Sequence, residues 1–193
     1  MPTTEKGQIG VKMRFHQNGT PTAYSTSADF CRIFADETES LFVLSYLLTA
    51  DVAKAEECFV AGIGDCVDGN AVFKEWARSW ARRAIIRNAI RLVNPAQETA
   101  SSRVLEFPAV GIEGIRLPSE LEAILKLSPL ERFAFVMLAL EGFSYQDTSL
   151  LLGCSRQVVT SARQRALNIL GKWSQAALMR EHERVAVPAM LSR

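Results

Sequence analysis

The sequence predicts an all-α protein: two small helical bundles joined by a linker, the carboxy-terminal one a helix-turn-helix. Three observations carry that expectation. Apolar residues recur three and four positions apart through most of the 193-residue chain, and no segment keeps the alternation that a half-buried strand requires. Helix starts are marked by a serine with a carboxylate three positions later, as in Ser119-Glu120-Leu121-Glu122, Ser128-Pro129-Leu130-Glu131 and Ser144-Tyr145-Gln146-Asp147. In that pattern two orphan amides are satisfied reciprocally. Between the helical halves, Asn94-Pro95 opens a stretch with one more proline, two glycines and little periodicity, and the residue before a proline is pushed out of the α region.

In chain order, residues 1–26 are rich in Thr, Gly and Ser and read as an amino-terminal tail. Residues 27–94 form the first helical domain. From Ala28 to Thr49, Phe30, Phe34, Leu41, Leu44 and Leu48 keep helical spacing, and Asp51 caps a second helix whose apolar side is Ala55, Cys58 and Phe59. Gly62 and Gly64 are expected to weaken its end. Asp68-Gly69-Asn70 is a turn. A long helix is expected from Ala71 to Val93, with Phe73, Trp76, Ala77, Trp80 and Ala84 as its apolar stripe and both tryptophans mainly in the core.

Residues 95–117 form the linker. The second domain, residues 118–174, holds a short helix through Leu127 and then the pattern on which the chain is organised. Ser128 supplies a cap and Pro129 the first helical position, where its missing amide costs nothing. Phe133, Val136, Met137 and Leu140 follow at helical spacing until Glu141-Gly142, a short helix runs from Ser144 through Leu152, and Gly153 ends it. The last helix starts near Ser155 and buries Val159, Ala162, Ala166 and Ile169, leaving Arg156, Gln157, Thr160, Arg163 and Gln164 on other faces. Two helices joined by a tight Gly-Cys-Ser turn, the second polar and basic outward, make a helix-turn-helix. Residues 175–193 read as a fraying helix and tail.

Charge is segregated along the chain, although the net charge is only +1. Any nucleic-acid contact must therefore come from local clusters rather than a cationic coat. Asp29, Asp36, Glu37, Glu39, Asp51, Glu56, Glu57, Asp65 and Asp68 outweigh Arg32 and Lys54 in the first half. Lys74, Arg78, Arg82, Arg83, Arg87 and Arg91 then face Glu75 alone. From Ser155 to Arg180 no carboxylate interrupts Arg156, Arg163, Arg165, Lys172 and Arg180, a balance suited to phosphates.

Chemistry of other kinds finds little support in the sequence. Cys31, Cys58, Cys66 and Cys154 lack metal-ligand spacing and read as buried reduced thiols, and His16 and His182 lie in the tails. No nucleophile elbow, phosphate loop or carboxylate–histidine pairing marks an enzyme, so no catalytic residue, metal or cofactor is expected. The first residues do not form a secretory signal and no apolar run approaches membrane-spanning length, which makes the cytoplasm the expected location, with no membrane partner and no small-molecule substrate.

The second half resembles region 4 of bacterial RNA polymerase sigma factors, most closely the compact extracytoplasmic-function group. Leu127-Ser128-Pro129-Leu130-Glu131-Arg132, Leu140-Glu141-Gly142-Phe143-Ser144-Tyr145, Leu151-Leu152-Gly153 and Val159 to Ala166 carry the likeness. The first half is similar to region 2 of the same family, through Leu47-Leu48-Thr49-Ala50-Asp51, Ala55-Glu56-Glu57, Phe73-Lys74-Glu75-Trp76 and Ala81-Arg82. The resemblance implies a transcription initiation factor whose partners are core RNA polymerase and promoter DNA, and it leaves room for an anti-sigma factor. Departures from the pattern are Val60-Ala61 in place of a Gln-Glu pair, Thr148-Ser149 in place of Ile-Ala, an apolar Leu150 at a charged position, and Thr160, Ala162 and Leu167 where Lys or Arg is common.

Candidate site residues follow. On the recognition helix Arg156, Gln157, Thr160 and Gln164 are placed to meet base edges, since Arg pairs with guanine and Gln with adenine in the major groove. Arg163 and Arg165 are assigned to phosphates, with pairing of Arg165 to an acid of the preceding helices as the structural alternative; Ser155 and Ser161 complete this −35-like surface. Lys74, Arg78, Arg82, Arg83 and Arg87 form a −10-like surface, or else pair with the acidic first half. The resemblance gives Asp51, Glu56 and Glu57 to polymerase docking. The alternative function is a sigma-like regulator or interaction module that does not melt promoters.

Overall fold

The computed structural model describes residues 23–97 and 119–186. The tail before residue 23, linker residues 98–117 and the last seven positions of the expected carboxy-terminal tail, 187–193, lie outside the described residues. Among those described the protein is all-α, and its extended pairing is a single isolated bridge between Tyr24 and Phe73.

Helix α1, Ser27–Asp36, begins with a full capping box, in which the Thr26 hydroxyl accepts from the Asp29 amide at 3.2 Å and Asp29 Oδ2 accepts from the Thr26 amide at 2.9 Å. The Thr26 amide and hydroxyl both donate to Asp29 Oδ2 and hold that carboxyl below its ordinary pKa. The single run expected from Ala28 to Thr49 is broken at Glu37, and α2 spans Thr38–Thr49. The break lies in the polar run Asp36-Glu37-Thr38-Glu39, where the Thr38 hydroxyl donates to the Phe34 carbonyl at 2.6 Å and competes with the helix ladder.

Helix α3, Val52–Val67, starts as expected at Asp51, whose carboxylate accepts from the Lys54 amide at 2.9 Å. It does not weaken at Gly62. A Cβ there would stand 2.7 Å from Ile85 Cδ1, so the glycine marks the close approach of α3 to the helix that follows. That helix also corrects the sequence reading. Hydrogen bonds from Lys74 N to the Ala23 carbonyl and from Ser25 N to the Val72 carbonyl hold the chain extended through Phe73, a 3₁₀ turn covers Lys74–Trp76, and α4 is Ala77–Val93. Its buried stripe is Ala77, Ala81, Ala84, Ile85, Asn88 and Ala89, and Asn94 ends it in the left-handed region just before Pro95.

In the second half, α5 is Ser119–Leu125 and α6 is Pro129–Phe135, with the Ser128–Glu131 capping box formed. A π-helical turn over Val136–Leu140 carries the chain to Gly142. Helix α7, Tyr145–Leu152, is capped by Ser144 and closed by Gly153 at φ 65°. Helix α8 runs from Arg156 to Ala186, well past the boundary expected at residue 174.

The two bundles also share a core. Leu47 and Leu48 of α2 join the cluster that holds Ile124, Leu127 and Leu130, and the buried Arg132 guanidinium donates to the carbonyls of Leu48 and Leu127, each at 3.1 Å.

Candidate nucleic-acid interface

Leu152 of α7 and Val159, Ala162 and Ala166 of α8 are all buried in the core, and Gly153 turns the chain between the two helices. At the start of α8 the Ser155 hydroxyl accepts from the Val158 amide at 3.3 Å. This cap fixes which way the first turn faces. Arg156, Gln157, Thr160, Ser161 and Gln164 are all exposed on the side away from the core, and the i, i+4, i+8 spacing of Arg156, Thr160 and Gln164 puts them on one stripe. Their contacts are local: the Thr160 hydroxyl donates to the Arg156 carbonyl at 2.9 Å, and Gln164 donates to Asn168 at 3.3 Å.

Residues 120–170 match the family Sigma-70, region 4. That segment holds α5 to α7 and the first half of α8, the stretch on which the sequence resemblance was strongest. Among solved structures, the sigma factor RpoE of Bartonella quintana, co-crystallised with the anti-sigma factor NepR, is similar at 22% identity over 76% of this chain and 97% of that chain, with a TM-score of 0.42. No curated protein matches.

Within residues 120–170 the remaining basic residues behave differently. Arg163 is half-buried and donates to the Tyr145 hydroxyl at 2.7 Å, with its guanidinium 5.8 Å from that ring, so α7 holds it in place. Arg165 donates through Nε to Glu131 Oε1 at 2.8 Å, the pairing left open at the sequence level. Leu150 is exposed, as its unusual position suggested, and Thr148 is buried with its hydroxyl unpartnered.

The basic side of α4 is occupied by carboxylates and rings. Arg78 pairs with Glu37 at 3.3 Å, Arg91 with Asp65 at 2.7 Å, and Lys74 stands 3.9 Å from Asp29. Arg87 lies over the Trp80 ring and Arg83 over the Phe143 ring, at 5.0 and 5.1 Å. Arg82 joins the two halves: Nε and Nη2 donate to the two oxygens of Glu141 at 2.6 and 2.5 Å, and Nη1 donates to Ser40 of α2 at 3.0 Å. The Glu141 hydrogen bonds raise the Arg82 pKa above its ordinary value, against burial, which acts in the opposite direction.

Trp76 is 56% exposed, which corrects its assignment to the core, and Trp80 is half-buried. The reason is the late start of α4, which moves the apolar stripe onto the alanines. Trp76 instead meets Phe73 edge-on at 5.2 Å, and Phe73 stacks on Tyr24 at 4.6 Å, which builds an exposed aromatic corner beside Lys74. Asp51, the cap of α3, and Glu56 and Glu57 within it are exposed, as is Val60.

The cysteines divide as well. Cys58 and Cys66 are buried, and desolvation pushes both thiols up to about 11. Cys31 is exposed and Cys154 half-buried, which corrects the expectation of uniformly buried thiols. No helix among the described residues is long and apolar enough to cross a membrane.

Sequence reasoning passed over Glu141, Phe143 and Tyr145 as site residues. Glu141-Gly142 was legible only as a helix end, and nothing local in the sequence ties it to Arg82.

Proposed function

We propose that the protein is a transcription initiation factor of the extracytoplasmic-function sigma type. It joins core RNA polymerase through α3, around Asp51, Glu56 and Glu57, and recognises a −35 element with residues 155 to 166. The −10 element is met by the helix around residues 74 to 91. The observation that carries this reading is the match of residues 120–170 to region 4, together with the exposed stripe of Arg156, Gln157, Thr160 and Gln164. Arg156 and Gln157 read base edges, and Arg163, held by Tyr145, meets a phosphate. No covalent step is required: binding energy positions the polymerase and favours an opened strand, on which aromatic side chains stack for roughly 1–3 kcal/mol per base. An anti-sigma protein is a further partner this reading allows.

Run-off transcription with purified core polymerase tests it. Initiation from a promoter with defined −35 and −10 elements is expected, and failure to join core or to initiate at any promoter removes the reading. A second reading is a regulator that binds duplex DNA without melting it. It is favoured by the exposed Val60 on α3 and by the engagement of Arg82 and Arg83 within the chain. Duplex binding without initiation would select it.

A further inference from the structure

An open groove of about 570 Å³ runs between α2 and the second half of the chain. Its floor is apolar, formed by Val43 and Leu44 of α2, Leu121 of α5 and Leu140 of the π-helical turn. Leu140 is left 46% exposed, although Val136 and Met137 of the same turn are buried. The rim is acidic. Glu37 and Glu141 on it are paired with Arg78 and Arg82, whereas Asp36 and Glu39 are exposed and meet no cation among the described residues. A ligand that is apolar on one side and basic on the other fits such a surface.

The chain carries a segment of that kind before residue 23, outside the described residues. Ile9, Val11, Met13 and Phe15 alternate with Gly10, Lys12, Arg14 and His16, a short exception to the absence of alternation in the rest of the chain. In an extended chain this period of two puts four apolar side chains on one side and the cations on the other. No Asp or Glu falls between Gly7 and Thr22 to offset them. The point from which the segment departs is fixed, because backbone hydrogen bonds tie Ala23 to Lys74 and Ser25 to Val72. Asp36 lies at the far end of α1, a helix of 10 residues and so about 15 Å long. Residues 16–22, fully extended, span up to about 25 Å, which brings Phe15 within reach of the groove.

We propose that the groove between α2 and Leu140 is the docking site of this chain's own residues 9–15. Ile9, Val11, Met13 and Phe15 lie on the leucine floor, and Lys12 and Arg14 meet Asp36 and Glu39 at the rim, where long basic side chains reach past an apolar surface. Tethering favours this occupant over a separate one, since a short connection holds it at an effective concentration on the order of millimolar. Docked there, the segment touches both bundles at once. The inference is independent of the DNA-binding roles proposed above.

The test is limited trypsin digestion of the full chain, with cleavage after Lys12 and Arg14 followed by mass spectrometry and compared with cleavage after Lys6, outside the docked segment. Cleavage tracks the undocked fraction, so Leu140→Asp is expected to raise both rates about tenfold relative to Lys6 if some nine-tenths of wild-type molecules are docked. Glu39→Lys, at an exposed position, gives a smaller rise in the same direction and decides alone if circular dichroism shows Leu140→Asp unfolded. Leu150→Asp makes the same change at a leucine that is 68% exposed on α7, outside the groove, and is expected to match wild type. Wild-type rates in the deciding variant, or an equal rise with Leu150→Asp, would overturn the docking and leave the groove to a separate partner. Protection of Lys12 and Arg14 that strengthens with protein concentration would overturn it too, by giving the groove to the tail of a second copy.

Discussion

Glu131 serves two helices at once: its Oε2 accepts the Ser128 amide at the start of α6 at 3.3 Å, while its Oε1 accepts Arg165 Nε from α8 at 2.8 Å. The same carboxylate therefore closes a capping box and fixes α8 against α6. Glu131→Ala is expected to destabilise by about 1–2 kcal/mol, most of it from the cap. The coupling to Arg165, measured in a double-mutant cycle by urea unfolding, is expected to stay below about 1 kcal/mol, because the Arg165 side chain is 54% exposed and water screens the pair. A coupling of several kcal/mol would mean that Arg165 belongs to the core rather than to the DNA face.

How much of this was legible depends on the range of the interaction. Capping boxes at Ser128 and Ser144 and the left-handed glycine at 153 are local, and the sequence displays them directly. Trp76 was misassigned because an extended strap, held by Ala23 and Ser25, delays α4, and that constraint comes from residues far earlier in the chain. Gly62 looked like a helix end because its reason, the approach of Ile85, is likewise tertiary. Arg82 and Glu141 lie 59 residues apart. Charge segregation showed that arginines needed partners, but not that one partner would come from the other bundle.

The DNA-binding role proposed for α8 predicts a separation of base reading from phosphate contact. Arg156→Ala and Gln157→Ala are each expected to cost about 1–3 kcal/mol on the preferred duplex and to relax the preference at one base pair. Arg163→Ala should weaken all sequences alike and reduce the slope of log affinity against log salt by about 0.9, the contribution of one phosphate. Tyr145→Phe removes the hydroxyl that holds Arg163 and should reproduce part of that loss with the charge retained. Equal losses on every sequence for Arg156, Gln157 and Arg163 would remove the assignment of base readers.

Thiol chemistry gives a readout of the first bundle. Cys31 is exposed and is expected to react with a thiol reagent at neutral pH, whereas Cys58 and Cys66, pushed up to about 11, should stay protected until the protein unfolds. The folded state holds these two thiols neutral beyond their ordinary value of 9.0, so their burial adds stability below about pH 9 that is lost as pH rises towards 11. Thermal melts should therefore fall across that window, and Cys58→Ala with Cys66→Ala should flatten this part of the fall. Labelling of Cys58 as fast as Cys31 at neutral pH would contradict the packing of α3 on α4.

Gly62 and Gly153 separate two uses of glycine. Gly153 sits at φ 65°, and a Cβ there would meet nothing within 4 Å, so Gly153→Ala carries only the backbone penalty, about 1 kcal/mol of lost stability. Gly62 has ordinary helical backbone but would bring a methyl 2.7 Å from Ile85 Cδ1. Gly62→Ala thus gains up to about 1 kcal/mol of helix propensity and loses about 1–3 kcal/mol to overpacking, a net destabilisation. Ile85→Val removes the obstructing Cδ1 and should rescue Gly62→Ala in part, while it cannot rescue Gly153→Ala. Urea unfolding of the two double variants decides this: equal rescue of both, or of neither, would show that the close approach of α3 to α4 is not what requires a glycine at position 62.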